Sequence, residues 1–468
     1  MKLPAAIFRE YDIRGTVGDQ LTADVARAIG QAFATVGWER LGRAPKLAVG
    51  RDNRPSGAEF AGAVQAGIAA AGGAAVDVGE LPTPALYFAT HTLDVDGGVQ
   101  VTGSHNPPEF NGFKLVLGPE PIYGAEIQGL RRLIEEGRTP ARPAGKRMQD
   151  RTVLPRYRDA IVERNGPLPR RVKAVVDCGN GVSSLIAVDT LRRLGAEVVP
   201  LFCESDGRFP NHHPDPTVAE NLRDLQAAVP REGAELGIAF DGDGDRIGAV
   251  DERGHPVFGD QLLVLLGRDL ARRLGGAEGG MGKGKGSRAV IFDVKCSEVL
   301  PRELTRAGLQ PIMWKTGHSL IKQKMKETHA PLAGEMSGHM FFGGDWYGFD
   351  DALFAAARLL RYQAEEGGPL SRLLADLPAT VATPEMRVDC PDERKFEIVE
   401  RAARHFAARY PVSTLDGVRI TFAEGWGLLR ASNTQPVLVL RFEAATPAAL
   451  TAYRTEVEGW LAAQSAGA

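Results

Sequence analysis

The chain has 468 residues, 43% hydrophobic and 25% charged, with a formal net charge of −3. That length suggests about three or four domains of roughly 100–200 residues, with cores that need neither disulfides nor a structural metal. The near-neutral balance argues against a broadly basic nucleic-acid or membrane-binding surface, so an anionic ligand would need positive charge gathered in a cleft.

The stretch Met1 to Glu10 carries only Lys2 and Arg9 as basic residues and no apolar run of signal-peptide length. Helical periodicity then runs over Ala23 to Gly37. Lys46 to Gly50 reads as a strand that ends in the polar loop Arg51 to Gly57, and a helix follows to about Ala71. The weakly polar stretch Ala61 to Val76 is rich in alanine and glycine and is broken by Gln65, so it reads as core helix and turn, not as a membrane span. A strand near Ala75 to Val78, a helix from Pro84 to His91 and a strand from Gly98 to Val101 complete the first unit.

The rhythm restarts at the strand Val172 to Val176, with Glu197 to Phe202 and Leu236 to Phe240 as partners, and again at Ala289 to Phe292, with Ile312 to Trp314 and Leu332 to Gly334. Strands separated by helices imply mixed or parallel sheets with helices on their faces. From about Gly367 the pattern changes: strands over Val418 to Phe422 and Val437 to Phe442, with helices near Lys395 to Ala408 and Pro447 to Leu461, read as a smaller α+β domain. Arg138 to Arg151 looks like a linker. Gly275 to Gly286, with seven glycines and two lysines, looks like a flexible surface loop to which no chemistry is assigned. The four cysteines, Cys178, Cys203, Cys296 and Cys390, form no C-x-x-C pair and are expected to be free buried thiols of a cytoplasmic protein.

Open α/β sheets gather chemistry in the loops after their strands, and the notable motifs fall there. Gly98 to Val101 runs into Thr102-Gly103-Ser104-His105-Asn106-Pro107-Pro108. Gly103 frees the backbone and the prolines block a helix, so Ser104 should stand exposed with fixed geometry. An isolated serine of this kind serves as readily to hydrogen-bond its own turn. His105 suggests a Ser–His nucleophile, but adjacent side chains rarely aim at each other and no G-x-S-x-G elbow is present. Lys114 would carry positive charge back toward the loop.

Phe240-Asp241-Gly242-Asp243-Gly244-Asp245-Arg246 is the sharpest metal signal. Three carboxylates alternating with glycines can converge on one hard cation, Mg²⁺ or Ca²⁺. An EF-hand reading fails because its sixth position, here Arg246, must be glycine, and because the flanks look like strands. Arg246 should sit at the rim, available to a phosphate. Glu335 and Ser337, on a glycine-bounded loop, suit vicinal sugar hydroxyls. Arg430-Ala431-Ser432-Asn433-Thr434 suits a phosphate cradle. His318, in Lys315-Thr316-Gly317-His318-Ser319, suits a general acid or base. Arg14 is as suited to a salt bridge as to a ligand, and the adjacent His212 and His213 sit in a proline-rich turn that does not suggest zinc.

Taken together, FREYDIRG at 8–15, TGSHNPPEFNGFK, DGDGDR, KTGHS, GEMSGH and RASNT, in that order from about Phe8 to Phe442, resemble the α-D-phosphohexomutase family, and within it the bacterial bifunctional enzymes. The resemblance implies four domains around a central cleft: three similar mixed α/β units and a smaller C-terminal α+β domain. The expected spans are 1–150 (phosphoserine), 151–253 (metal), 254–366 (sugar) and 367–468 (phosphate). It implies a phosphoserine at Ser104, which joins Asp241, Asp243 and Asp245 as magnesium ligands. Glu335 and Ser337 match the sugar-reading pair, and Arg430, Ser432, Asn433 and Thr434 the loop for the non-reacting phosphate. Lys114 and His318 match residues that assist proton transfer, Arg14 and Arg246 cleft arginines, and Tyr11, Lys295 and His339 further cleft positions.

The implied reaction is the reversible interconversion of hexose 1-phosphate and hexose 6-phosphate, of glucose or mannose, with glucose 1,6-bisphosphate as activator and intermediate. The implied protein is a cytoplasmic monomer with no nucleic-acid or membrane partner. Asn433 after Ser432, and Met336 in the sugar loop, favour hexoses over glucosamine phosphates; the Gly275 to Gly286 stretch is longer than the family pattern. The alternatives are a metal-dependent sugar-phosphate phosphatase and a non-catalytic Ca²⁺-binding protein. The absence of a G-x-x-x-x-G-K-[ST] loop speaks against a nucleotide enzyme of that type.

Overall fold

The computed structural model describes residues 1, 3–118, 120–275, 286–433 and 435–465. Four sheets follow one another along the chain. In the first, the apolar strand Lys46–Arg51 lies parallel to both Ala74–Glu80 and Gly97–Val101. Phe110–Leu117 pairs antiparallel with Gly97–Val101, and Ile13–Thr16 antiparallel with Phe110–Leu117. The segment expected to be a linker contributes an edge strand, since Arg147–Gln149 pairs parallel with Ala74–Glu80. Its prolines and arginines hid that short run.

The helix Ala23–Leu41 starts at Thr22, whose hydroxyl accepts from the Val25 amide, and ends at Gly42 in the left-handed region. It crosses Gly57–Ala70 closely because glycine supplies the room: a methyl at Gly30 would strike the Val64 backbone, and one at Gly67 the Arg27 carbonyl.

The second sheet sets Lys173–Asp177 between the parallel strands Leu236–Phe240 and Glu197–Leu201, with Ile247–Asp251 antiparallel on Leu236–Phe240. The third sets Ala289–Asp293 between the parallel strands Gln310–Trp314 and Leu332–Gly334, with Met340–Phe342 antiparallel at its edge. The fourth is antiparallel throughout its described pairs. Helices Asp392–Ala407 and Pro447–Ser465 pack on it through Ala402, Phe406, Val457 and Leu461.

Two long helices, Gly259–Arg273 and Ala352–Glu366, had no counterpart in the sequence reading. Ala352–Glu366 is buried on nearly every face, so it shows no one-sided apolar stripe. The strand Gly425–Ala431 was hidden because its opening Gly-Trp-Gly imitates a turn.

The first three sheets share an apolar core on one face, in which Phe88, Tyr157, Trp346 and Phe354 meet, while each packs a further cluster of its own, the largest being that of the first unit around Phe33, Phe60 and Phe113. The C-terminal sheet has its own core and joins the third unit through a small patch around Val294, Trp426 and Leu428. No described helix is long and apolar enough to cross a membrane.

Candidate active site

The Gly97–Val101 strand delivers Ser104 to a loop that buried charges fasten. The Asp52 carboxylate accepts from Thr102 Oγ1 at 2.7 Å and from the Gly103 amide at 3.2 Å. Arg54 then spreads its guanidinium over four carbonyls: those of Pro107 and Phe110 at 2.6 and 2.9 Å, and those of Ser104 and Asn106 at 2.7 and 2.6 Å. A methyl on Gly103 would meet that guanidinium at 2.5 Å, so the position requires glycine. Asp52 and Arg54 lie in the loop read only as polar; their signal was its place at the end of a buried strand.

Ser104 sits at φ 51, a left-handed backbone that only an over-determined loop holds on a non-glycine residue. Two expectations are corrected here. Ser104 is buried, at 2% exposure, because the Asp241 loop folds over it; a methyl at Gly242 would meet the Ser104 carbonyl oxygen at 2.5 Å. Ser104 and His105 do meet, since the left-handed turn brings Oγ to 3.1 Å from His105 Nδ1. Burial pushes the His105 pKa well below the ordinary imidazole value, and the charges of Arg246 and Arg14 add to this.

The Ser104 hydroxyl also donates to Asp241 Oδ2 at 3.2 Å. Asp241 holds its own loop together: Oδ1 accepts from the amides of Gly244, Asp245 and Arg246 at 3.0, 3.0 and 3.1 Å. This loop joins two antiparallel strands, which rules out the helix-flanked calcium hand, and Glu252 is spent on Ser371 instead. All three aspartates are fully buried, with carboxylate oxygens within 4.8 Å of one another. Burial, and then repulsion from Asp245 and Asp243, pushes the Asp241 pKa well up.

Lys114 donates to Asp243 Oδ2 at 2.7 Å and to Asp245 Oδ2 at 2.5 Å. Burial works against its charge, but these two carboxylates outweigh burial and hold it protonated. Burial likewise works against the Asp243 carboxylate, which the Lys114 charge and hydrogen bonds from Lys114 and Thr83 keep ionised. Thr83, from the first unit, donates its hydroxyl to Asp243 Oδ2 at 2.5 Å and its amide to the Asp243 carbonyl at 2.9 Å. A threonine before a proline at a helix start gave no sequence signal beyond its turn. The donor set fits a hard cation: Asp243 Oδ1 and Asp245 Oδ1 are buried without a hydrogen-bond partner, and the three ligands offer oxygen alone.

Asp245 belongs as well to a second group with His339 and Asp350. His339 Nδ1 lies 3.1 Å from Asp350 Oδ2, and Arg246 Nε donates to His339 Nε2 at 3.0 Å. Arg246, only partly buried, is thus steadied through its Nε by a histidine. Asp350 also takes Lys322 at 2.9 Å and lies 4.0 Å from His318 Nδ1. Burial first, then the Lys322 charge, pushes the His318 pKa well below the ordinary value, so the ring is neutral. Asp350 carries no sequence signal beyond an acidic pair inside an aromatic stretch.

Glu335 is buried and accepts from the Gly317 amide at 2.5 Å, with the Ser337 hydroxyl 3.5 Å away. Arg430 pairs with Asp416 at 3.1 Å, Lys295 with Glu385 at 3.1 Å, and Arg14 with Asp12 and the Asn106 side chain at 2.5 and 3.0 Å. The Ser432 hydroxyl accepts from the Gln435 amide at 3.1 Å. Tyr11 ties three units together: its hydroxyl donates to the Thr316 carbonyl at 2.8 Å and accepts from Asn433 Nδ2 at 2.9 Å. Thr434 and residues 276–285 of the glycine-rich stretch lie outside the described residues. His212, read as structural, pairs with Asp177 at 3.0 Å.

Loops from all four sheets therefore meet in one cleft, with Ser104, the aspartate trio, His318 and His339, Glu335 and Arg430 each supplied from a strand end. Family models match the chain throughout. The α/β/α domains I, II and III of phosphoglucomutase/phosphomannomutase match residues 5–140, 155–254 and 258–381, and the C-terminal domain matches 385–459. The phosphomannomutase/phosphoglucomutase of Pseudomonas aeruginosa is 47% identical over 459 residues, covering 97% of this chain and 95% of the relative. A phosphoglucomutase of Neisseria gonorrhoeae is 43% identical, over 95% and 94%. The crystal structure of a phosphoglucomutase/phosphomannomutase family protein from Burkholderia thailandensis superposes with a TM-score of 0.90 at 44% identity, covering 100% of this chain and 99% of that one. With all four domains matched in order and near-complete coverage by its relatives, the chain belongs to the phosphoglucomutase/phosphomannomutase family.

Proposed function

We propose that this protein interconverts hexose 1-phosphates and hexose 6-phosphates, of glucose and of mannose, through a phosphoserine at Ser104 and a hexose 1,6-bisphosphate. The observation that carries the reading is the Ser104 hydroxyl 3.2 Å from Asp241 Oδ2, at the edge of a buried oxygen trio with two unpartnered oxygens.

Asp241, Asp243 and Asp245, with the Ser104 phosphate, would hold Mg²⁺, which when bound supplies positive charge against the phosphoryl oxygens. Arg430 and the loop through Thr434 grip the phosphate that does not react. Glu335 accepts from sugar hydroxyls, and this aims the free hydroxyl at Ser104. The hydroxyl oxygen bonds to phosphorus as the bond from phosphorus to Ser104 Oγ breaks, the hydroxyl proton passes to the neutral ring of His318, and one proton is returned to the departing Oγ, so that the serine hydroxyl is restored with no net change in protons. Lys114, held as a cation, offsets charge beside the trio rather than serving as a base. Positioning and electrostatics supply most of the catalysis in such transfers.

The bisphosphate then turns so that its other phosphate enters the Arg430 loop, and Ser104 recovers a phosphoryl group. The separate core of the C-terminal unit and its small apolar contact with the third unit support a hinge there, open for the turn and closed for transfer. A monomer suffices, since one chain supplies every part, and the free thiols accord with a cytoplasmic site.

The test is conversion of glucose 1-phosphate to glucose 6-phosphate with Mg²⁺ and a trace of glucose 1,6-bisphosphate, alongside Ser104→Ala. Turnover that is lost in the variant and releases no inorganic phosphate supports the reading, and mannose 1-phosphate follows in the same assay. Release of inorganic phosphate would move the assignment to a phosphatase.

A further inference from the structure

Two cysteines 25 positions apart in the sequence meet in the second unit. Cys203 Sγ lies 3.1 Å from Cys178 Sγ, and Cys203 has two further acceptors, the carbonyls of Val176 and Leu201, at 3.3 Å. Cys178 follows the strand Lys173–Asp177 and is fully buried; Cys203 follows the neighbouring parallel strand Glu197–Leu201 and is half-buried. The backbone around the pair is cross-tied. The Cys178 amide donates to the Leu201 carbonyl at 3.1 Å, and the Asn180 amide to the Phe202 carbonyl at 2.8 Å. The two sulfurs are therefore held together by the sheet rather than by chance rotamers. Cys296 bonds the Asp293 carboxylate instead.

The chain leaving Cys203 runs to the Asn53–Arg54 loop, whose Arg54 clamps the Ser104 loop. Asn53 donates to the Asn180 carbonyl at 2.7 Å and to Ser205 at 2.9 Å. A methyl at Gly207 would collide with the Asn53 and Arg54 backbone, and the Phe209 ring lies 5.2 Å from the Arg54 guanidinium. Pro214 accepts from the Gly242 amide at 3.2 Å. The thiol pair thus stands at the root of a segment that braces both Arg54 and the aspartate loop.

We propose that Cys178 and Cys203 are an oxidant-sensitive dithiol, which peroxide closes to an intramolecular disulfide that slows the enzyme. Hydrogen peroxide oxidises the Cys203 thiol to a sulfenic acid and releases one water. The Cys178 sulfur then attacks that sulfur, forms the S–S bond and releases a second water; the two thiols together lose two electrons and two protons. Cys203 reacts first because it is half-buried and reachable while Cys178 is fully buried, and Cys178 gives up its proton as its sulfur attacks. Closure draws the sulfurs from 3.1 Å toward the ~2.05 Å of a disulfide, a shift of about 1 Å at the root of the bracing segment. Displacements of that size at a positioned group cost up to about a hundredfold in rate, and about a tenfold loss is expected here.

The experiment treats the reduced full-length protein with hydrogen peroxide, alkylates the remaining thiols, and maps peptides by mass spectrometry without reductant. A linked 178–203 peptide, two of the four thiols lost and restored by dithiothreitol, and a parallel fall in turnover absent from Cys203→Ser would support the proposal. No linked peptide, a link between different chains, or a 178–203 link with unchanged turnover would overturn it. The rate arm rests on the mutase reading and the peptide map does not, so inactivity of the reduced enzyme would count against that reading alone.

Discussion

Replacing Arg54 by methionine removes the clamp on the Ser104 loop while keeping most of the apolar stem. Four carbonyls at 2.6–2.9 Å lose a charged donor, and Asp52 loses its 3.1 Å partner. Hydrogen bonds to charged groups are worth ~1.5–3 kcal/mol each and do not add, and breaking a buried pair costs ~3–5 kcal/mol because the other charge is left behind. Asp52 keeps Thr102 Oγ1 and the amides of Gly103 and Arg54, so a cost near ~3 kcal/mol is expected. The left-handed backbone at Ser104 has then lost what enforces it, and turnover should fall by about a hundredfold as the nucleophile drifts.

Arg54→Lys restores the charge but has one compact head where the fork had two arms, so it should recover only part of the rate. The measurements are kcat with glucose 1-phosphate, thermal unfolding, and amide exchange over residues 102–110. If Arg54→Met keeps turnover within about twofold, equivalent to ~0.4 kcal/mol, and those amides stay as protected as in the parent, the clamp argument is wrong.

Thr83→Val deletes the hydroxyl that orients Asp243 and should weaken Mg²⁺ affinity about 10–100-fold, read by metal titration of turnover and of melting temperature; unchanged titrations would remove Thr83 from the ligand support. Arg430→Ala should raise KM steeply and slow both half-reactions, because one cradle serves both orientations; a loss confined to one direction would contradict a shared cradle. Asp351 accepts from Tyr157, Trp346 and the Phe354 amide, yet burial raises its pKa from 3.8 to about 7. An acid whose folded pKa is raised binds its proton more tightly in the native state, so its contribution is greatest below the unfolded value and falls as pH rises toward 7, by on the order of a few kcal/mol. The melting temperature of the parent relative to Asp351→Asn should therefore drop between pH 4 and pH 8, and a flat or rising difference would refute the assignment.

The strands Leu236–Phe240, Leu332–Gly334 and Val418–Phe422 were legible at their full extent because the first two are short apolar runs closed by turn chemistry and the third alternates apolar and polar residues. The motif residues were legible for a related reason. Glycines beside charged groups at strand ends are costly unless the backbone must come close to something, and alternating aspartates repel unless a cation joins them. What the chain order alone determined was therefore the α/β architecture and the family, and it singled out Ser104 and the aspartate trio as candidates. Which groups face one another, within a unit or across two, came only from tertiary structure. Thr83 on Asp243, Arg54 under Ser104, Asp350 between two histidines and Cys178 against Cys203 are contacts between residues 11 to 160 positions apart. Local propensity carries no trace of them, because each residue taken singly is an ordinary turn, loop or core residue. Tertiary packing then changed the chemistry of residues already named: Asp243 and Asp245 hold Lys114 as a cation against its burial, desolvation keeps His318 neutral, and the aspartate loop closes Ser104 from solvent. Desolvation depends on what folds over a group, and a sequence lists neighbours along the chain rather than neighbours in space.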